Sequence, residues 1–377
     1  VSAQGGVQPS ATADIATQDQ RFMALALNLG RRGLGRTWPN PAVGAVIVKD
    51  GVVIGRGWTQ PGGRPHAEVE ALRRAGAAAR GATLYVTLEP CSHHGKSPPC
   101  ADAVIAAGIA RVVSALEDPN PEVAGRGHAR LRAAGIAVEA GVGAEAARRD
   151  HAGHIRRMRD GRPHVMLKLA VSADGKAGAA GRRPVAITGE AVRDRVHLLR
   201  AKSDAITIGI GTALADDPML TCRLPGMAKD SPVRVVLDSE LRLPLGSRLV
   251  QTAWETPLWV IGTPNAARSV QEALQARGAE VLREGGGGGR LDLPAVLKLL
   301  AAKGITRLMI EGGPTLAAAL IAADLVDEAY FFHSAAIVGS DGLDALDGPA
   351  TAGLAKRLRR VISEPVGPDR LDRYERV

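Results

Sequence analysis

The sequence predicts an α/β protein made of two different domains. Short β-rich runs alternate with amphipathic helical patterns along most of the chain, the pattern of sheets covered by helices. The 377 residues exceed one ordinary domain of about 100–200 residues. No internal repeat relates the two halves. We expect a lead-in over residues 1–19, a first domain over 20–160 and a second over 161–377. The 45% hydrophobic and 23% charged composition is enough to bury a core and excludes general disorder.

The lead-in is rich in Ala, Gln, Ser and Thr and has no basic stretch followed by an apolar one, so it does not resemble a secretory signal. Arg21–Leu29 reads as the first helix. Val43–Val48 and Val52–Gly57 read as strands of a hairpin turning at Lys49-Asp50-Gly51. A helix over His66–Arg74, stopped by Gly76, precedes a strand at Thr83–Thr87. Cys100–Ala107 reads as a helix, Arg111–Leu116 as a strand, Gly127–Ala134 as a helix and Ile136–Ala140 as a strand. The Arg-rich segment from Ala144 to Arg162 reads as a solvated helical tail leading into a linker.

The second series opens with a strand at His164–Val171, a helix at Gly189–Lys202 and a strand at Ala205–Ile210. Strands at Val233–Asp238 and Leu258–Ile261 precede a helix at Ala266–Arg277. After the glycine run Gly285–Gly289, expected as a flexible loop, come a helix at Leu293–Ala302 and a strand at Ile305–Ile310. A helix at Pro314–Ala323 and a late strand at Val326–Phe332 close the pattern.

Charge narrows the partner. Lys plus Arg number 48 against 39 Asp plus Glu, a net +9, which favours an anion. Aromatics are 3% of the chain, few for stacking single-stranded bases, so a phosphorylated small molecule ranks ahead of nucleic acid. No run of about 18 apolar residues predicts a membrane span. The three cysteines, Cys91, Cys100 and Cys222, fit a reducing, cytoplasmic setting with thiols used as metal ligands or packing.

The most informative segment is His66-Ala67-Glu68, followed by Pro90-Cys91 and Cys100. One imidazole and two thiolates match a catalytic zinc with its fourth position left for water. Glu68, two residues beyond His66, can reach that water without binding the metal. Such a site brings water to a pKa of roughly 7, and the Glu would move its proton to a ring nitrogen and then to a departing amine. Cys100 opens a helix, where the dipole favours thiolate. The pattern resembles the zinc-dependent nucleobase and nucleoside deaminases, except that eight residues separate the cysteines where two are usual. A closed structural site with His93 or His94 as fourth ligand is the alternative, and it leaves Glu68 unused. Cys222 has no metal-spaced partner and reads as packing.

Three motifs in order make the resemblance more specific. They are Thr37-Trp38-Pro39-Asn40-Pro41-Ala42-Val43-Gly44, Pro65-His66-Ala67-Glu68-Val69-Glu70-Ala71-Leu72, and the stretch from Glu89 to Cys100 that includes Ser92-His93-His94-Gly95-Lys96. From about Gln20 onward the chain resembles the bifunctional deaminase–reductase family of riboflavin biosynthesis. The resemblance implies an N-terminal cytidine-deaminase-like domain with one Zn2+, acting on a diaminopyrimidinone that carries a phosphoribosylamino group. It implies that Asn40, His93, Lys96, Asp118 and Asn120 hold the heterocycle or the phosphoribosyl arm; the bland reading of each is a loop or turn residue. The family often has His where this chain has Thr59.

The second site is not legible from spacing. Gly209-Ile210-Gly211-Thr212 alone is a weak dinucleotide cue, equally a tight turn. Glu311-Gly312-Gly313-Pro314-Thr315 places glycines between a strand and a helix N-terminus, which favours an anion. The resemblance continues through Leu167-Lys168-Leu169-Ala170, Ile187-Thr188-Gly189, Leu199-Arg200, Gly211–Pro218, Leu237-Asp238-Ser239 and Glu311–Thr315. It implies a dihydrofolate-reductase-like domain that uses NADPH to reduce the ribosyl group to ribityl. Ala170, Thr212, Asp216, Ser239, Gly313, Pro314, Thr315 and Leu316 would border the cofactor; Lys168, Arg200, Arg223 and Glu311 would border the substrate. The family commonly has Ser and Trp where this chain has Pro184-Val185-Ala186.

Two other readings stand beside this one: a zinc deaminase of another base with a degenerate second domain, and a zinc-dependent nucleic-acid-binding protein. The last predicts salt-sensitive polynucleotide binding and no role for Glu68. Homo-oligomerisation is compatible with the sequence.

Overall fold

The computed structural model describes residues 11–376 apart from Lys96, Pro184 and Gly286. A first compact unit ends at Arg159 and a second begins at Asp160.

The first unit opens with α1 (Ala11–Gly30) and the hairpin β1 (Gly44–Lys49) and β2 (Val52–Trp58). Asp50 and Gly51 both take positive φ at the turn, 50° and 76°, as a tight hairpin with the right-handed strand twist requires. Then follow α2 (Ala67–Ala75), β3 (Thr83–Val86), α3 (Cys100–Ala106), β4 (Arg111–Ser114), α4 (Arg126–Ala133) and β5 (Ala137–Ala140). Two short helices, α5 (Ala144–Asp150) and α6 (Ala152–Asp160), end the unit. The sheet order is β2-β1-β3-β4-β5; β1 is antiparallel to both neighbours, and β3, β4 and β5 run parallel.

Alternation along the strands builds three layers. Val46, Val48 and Tyr85 pack with Phe22, Met23, Ala26 and Leu27 of α1. On the opposite face, Ala45, Ile47 and Leu84 pack with Ala67, Ala71 and Ala75 of α2 and Val104 of α3. Successive side chains of β1 point to opposite faces, and both faces are covered, which is why its sequence reads as one apolar run.

One sequence expectation changes at the start of this unit. Residues 11–19, read as lead-in, belong to the first half of α1. What anchors them is polar: Asp19, 2% exposed, accepts hydrogen bonds from the Tyr85 hydroxyl at 2.8 Å and from Arg111 at 2.9 and 2.6 Å. A buried carboxylate held by partners 66 and 92 residues away leaves no apolar periodicity to read. The rest of the expected lead-in, residues 1–10, lies outside the described residues.

The second unit begins with β6 (His164–Val171), β7 (Lys176–Gly178), α7 (Glu190–Ala201), β8 (Ala205–Gly209) and α8 (Ile210–Asp216). β9 (Val233–Leu237), α9 (Arg248–Gln251), β10 (Leu258–Gly262), α10 (Arg268–Gln275) and β11 (Glu280–Arg283) follow. Next come α11 (Leu293–Ala302), β12 (Arg307–Ile310), α12 (Pro314–Ala322), β13 (Glu328–His333), β14 (Leu343–Asp344), α13 (Gly348–Arg357), β15 (Leu358–Val366) and β16 (Asp369–Arg376).

Among the described residues the main sheet has nine strands in the order β11-β10-β9-β8-β12-β6-β13-β16-β15. From β11 to β13 neighbours are parallel; β16 is antiparallel to β13 and β15. The chain steps outward from β8 to β11, returns to insert β12 between β8 and β6, and then places β13 on the other side of β6. In open parallel sheets, ligands bind beyond the carboxyl ends of strands at such a reversal.

The closing hairpin β15–β16 was not read from sequence. Its strands are rich in charge, and Asp372, 2% exposed, accepts from Ser363 at 2.6 Å and lies 3.5 Å from Arg360 on the facing strand. Cross-strand polar pairs sustain it where alternating apolar residues would be sought. In the glycine run, Gly287–Gly289 form a short 3-10 turn, and the part of that expectation that falls on Gly286 lies outside the described residues.

Candidate functional site

The metal-ligating residues sit where α2 and α3 begin. His66 occupies the N-cap of α2 with extended backbone, and Glu68 lies in the first turn. Gly57 lets that turn lie directly on β2, since a Cβ there would fall 2.3 Å from the Ala67 carbonyl oxygen. Cys100 is the first residue of α3 and is 1% exposed; Glu68 is 4% exposed. The ligand atoms of His66, Cys91 and Cys100 all lie within 4.8 Å of one another. His66 Nδ1 is 3.3 Å from Cys100 Sγ and 3.8 Å from Cys91 Sγ. A tetrahedral zinc with bonds of about 2.3 Å to sulfur and about 2.0 Å to nitrogen gives edges of roughly 3.5–3.8 Å. The donor set and its spacing therefore fit zinc.

The first amide of α3 points at the other cysteine. The backbone N–H of Cys100, at the start of α3, donates to Cys91 Sγ at 3.3 Å. The helix end thus serves the other cysteine. Cys91 is held down to about 4 by its hydrogen bond from the Cys100 thiol, against burial and with help from His66. The Cys100 thiol is pushed well up by the same bond and by burial. Burial raises Glu68 above the ordinary carboxylate range, opposed by His66.

Glu89 went unremarked as a functional residue in the sequence, although it directly precedes Pro90-Cys91. It is 3% exposed and accepts backbone N–H bonds from Asp118 and Gly125 through Oε2 and from His128 through Oε1, at 3.0, 2.9 and 3.0 Å. Gly127 permits the approach, because a Cβ would meet the Pro90 carbonyl oxygen at 2.0 Å. Glu89 thereby ties the 117–128 segment to the ligand Cys91. This bonding also accounts for the nearness of Glu89, Glu117 and His128 without an ion.

The other expected deaminase residues fall out unevenly. Asn40 donates its amide to the Gly63 carbonyl at 2.8 Å. Asp118 is 8% exposed, and its Oδ1 accepts the Asn120 N–H at 2.8 Å while the Asn120 Oδ1 accepts the Glu122 N–H at 3.0 Å. His93 is exposed. Lys96 lies outside the described residues. Thr59, where the family often has His, is 1% exposed and accepts the Val43 N–H at 3.1 Å, a bond that closes the base of β1 and β2. Cys222 is buried in the second unit.

In the second unit, the carboxyl ends of β6, β8, β9 and β12 gather the remaining residues. Ile310 pairs with Leu167 and with Thr207, so Glu311 emerges beside Lys168. Arg200 of α7 grips Glu311 with two hydrogen bonds of 2.9 Å, and Lys168 Nζ lies 3.5 Å from its Oε1. Burial pushes Glu311 up, but Arg200 and Lys168 overcome it and hold the carboxyl at about 2. Thr212, two residues into α8, accepts the Gly313 N–H at 3.0 Å; Gly313 is the N-cap of α12, with Pro314 at its first position. The two glycine motifs thus meet. Thr315 and Leu316 continue that first turn, and Ala170 lies on β6 opposite Phe332. Ser239, just past β9, accepts from the Thr263 N–H at 3.0 Å. Asp216, at the end of α8, is raised by burial and then by Glu311. The exposed Arg223 donates its backbone N–H to His197 Nδ1 at 3.3 Å, a contact with no signal in the sequence. Val185 and Ala186 are exposed, and Pro184 lies outside the described residues.

Comparison with known proteins agrees with both halves. Residues 163–371 match the model of the RibD C-terminal domain, and residues 16–116 that of the cytidine and deoxycytidylate deaminase zinc-binding region. The chain is 44% identical to the riboflavin biosynthesis protein RibD of Escherichia coli (strain K12), over 93% of this chain and 98% of that one. It is 40% identical to that of Aquifex aeolicus (strain VF5), over 93% and 96%. It superposes on Acinetobacter baumannii RibD with a TM-score of 0.85, at 36% identity over 96% of this chain and 99% of that one. A Thermotoga maritima diaminohydroxyphosphoribosylaminopyrimidine deaminase/5-amino-6-(5-phosphoribosylamino)uracil reductase gives a TM-score of 0.82, at 33% identity over 96% and 100%. The first unit is cytidine-deaminase-like and the second has the dihydrofolate-reductase-like fold of the reductase half. With relatives matched over nearly their full length, the chain belongs to the RibD family, the bifunctional deaminase–reductases of riboflavin biosynthesis.

Proposed function

We propose that the chain converts 2,5-diamino-6-(5-phosphoribosylamino)pyrimidin-4(3H)-one to 5-amino-6-(5-phosphoribosylamino)uracil, and then reduces the ribosyl group to ribityl. The observation that carries the first step is the buried Glu68 in the turn that begins at His66, itself within 4.8 Å of the two cysteine sulfurs. When bound by His66, Cys91 and Cys100, zinc acts as a Lewis acid that makes water nucleophilic near neutral pH. Glu68 takes one proton from the attacking water and passes it to the ring nitrogen, then takes the second from the hydroxyl added to the ring carbon and gives it to the amine, which leaves as ammonia as the carbonyl forms. Asn40, His93, Lys96, Asp118 and Asn120 orient the heterocycle and the phosphoribosyl arm.

In the second step NADPH would supply a hydride to C1′ of the open-chain imine form of the ribosylamino group, whose nitrogen takes up a proton. Lys168, Arg200, Arg223 and Glu311 bind the phosphorylated substrate. Ala170, Thr212, Asp216, Ser239 and the Gly313–Leu316 turn hold the nucleotide; the Gly313 N-cap offers helix N–H groups to phosphate. The partner in this reading is a small phosphorylated pyrimidine and not nucleic acid, and the setting is the cytoplasm; among the described residues, no helix is long and apolar enough to cross a membrane. Association into a homo-oligomer is compatible with this reading. Incubating zinc-loaded protein with the diaminopyrimidinone, with and without NADPH, tests it: mass analysis should show deaminated product alone without NADPH and the ribityl product with it. Unchanged substrate overturns the first step, and deaminated product alone in the presence of NADPH overturns the second.

A further inference from the structure

The deaminase zinc-binding match ends at residue 116, yet the first unit continues to Arg159. The added segment ends in α6, which places His154 against Asp118. His154 Nε2 lies 3.1 Å from Asp118 Oδ1, and both residues are 8% exposed. The same Oδ1 accepts the Asn120 N–H at 2.8 Å. The Asp118 backbone is pinned separately, its N–H donating to Glu89 beside Pro90-Cys91. Two donors therefore converge on one carboxylate oxygen, and among the described residues no hydrogen bond falls on the other. A carboxylate can accept at both oxygens, so this one-sided arrangement holds one oxygen and leaves its twin to a ligand.

We propose that His154 is a positioning residue for deamination: it fixes the Asp118 carboxylate so that Oδ2 faces the substrate. The inference rests on the reading of Asp118 as a substrate contact. His154 itself does not touch the substrate. Its imidazole reaches across from the last helix of the unit, 36 residues away in sequence, and supplies through Nε2–H the donor that a solvated aspartate would take from water. Losing that donor frees the side-chain torsion and weakens substrate binding, while the proton transfers at Glu68 proceed as before.

The test measures ammonia release by the full-length, zinc-loaded protein for His154→Phe, His154→Gln, His154→Glu and Asp118→Ala, with zinc content and NADPH oxidation on the deaminated product as controls. His154→Phe should raise KM about tenfold, the scale of one charge-assisted hydrogen bond, with kcat within about twofold and zinc content unchanged. His154→Gln, which keeps an N–H donor, should restore KM to within about threefold of the parent. His154→Glu, matched to Gln in shape but unable to donate when ionised, should raise KM at least tenfold; this pair decides the matter even if the Phe variant loses zinc. The double variant His154→Phe/Asp118→Ala should be no worse than Asp118→Ala alone. Equal KM values for the Gln and Glu variants, alongside a raised KM in Asp118→Ala, overturn the positioning role and leave the substrate contact standing. An unchanged KM in Asp118→Ala overturns the substrate contact itself.

Discussion

The hydroxyl of Thr212 accepts the backbone N–H of Gly313 at 3.0 Å, joining residues 101 apart in the chain. It ties the helix that follows β8 to the first turn of the helix that follows β12, two neighbouring parallel strands. Each motif alone is a weak signal; joined, they form one wall at the carboxyl end of the sheet.

Thr212→Val should loosen that wall. The variant keeps the shape but removes the acceptor, leaving the Gly313 N–H without its partner at a cost of about 1 kcal/mol. We expect KM for NADPH to rise about fivefold, with ammonia release unchanged. Steady-state NADPH oxidation on the deaminated product checks it, and an unaltered KM would show that the bond does not shape the nucleotide site.

Glu68→Gln should abolish deamination while leaving the ligands intact. General acid–base groups contribute about 10²–10⁴-fold, so ammonia release should fall by about that factor with full zinc occupancy and normal NADPH oxidation. Metal analysis beside both assays separates this from collapse of the site. Prolonged chelation should mimic the first loss and spare the second activity.

Glu311→Gln removes the charge that Arg200 and Lys168 share. Breaking a buried pair from one side strands the cations and costs about 3 kcal/mol. Because the folded carboxyl sits at about 2, below its ordinary 4.5, its stabilisation is fully present above the unfolded value. It disappears as pH falls from about 4.5 toward about 2. Denaturant unfolding should therefore show a parent–variant gap that is constant near neutrality and closes across that acid window. A gap independent of pH would contradict the ion-pair account.

Asp19→Ala tests the polar anchor of α1. The substitution leaves Arg111 with Glu139 as its remaining carboxylate partner and removes the Tyr85 acceptor, so the first unit should lose about 2 kcal/mol. Denaturant unfolding followed by release of zinc reports this unit, whereas NADPH oxidation should be unaffected.

Chemistry was legible where it is local. His66 and Glu68 lie in one turn, and Cys91 and Cys100 flank one loop, so residue type and spacing name the donor set before any fold is known. Strand and helix patterns were legible for the same reason wherever packing is apolar, as in the buried run of β1. They failed over the first half of α1 and at β15–β16: Asp19 is held by partners 66 and 92 residues away, and Asp372 by Ser363 and Arg360 across the hairpin. Apolar periodicity carries no trace of such pairs.

The sequence by itself determined which residue types are available for zinc and proton transfer, and that glycine turns precede two helices of the second half. Tertiary structure alone decided which sulfur receives the Cys100 N–H, which oxygen of Asp118 is held by His154, and that Thr212 meets Gly313. The reason is physical: these relationships depend on sheet order and helix placement, which set groups 9, 36 and 101 residues apart against one another. A hydrogen bond at 3 Å has no counterpart in linear spacing.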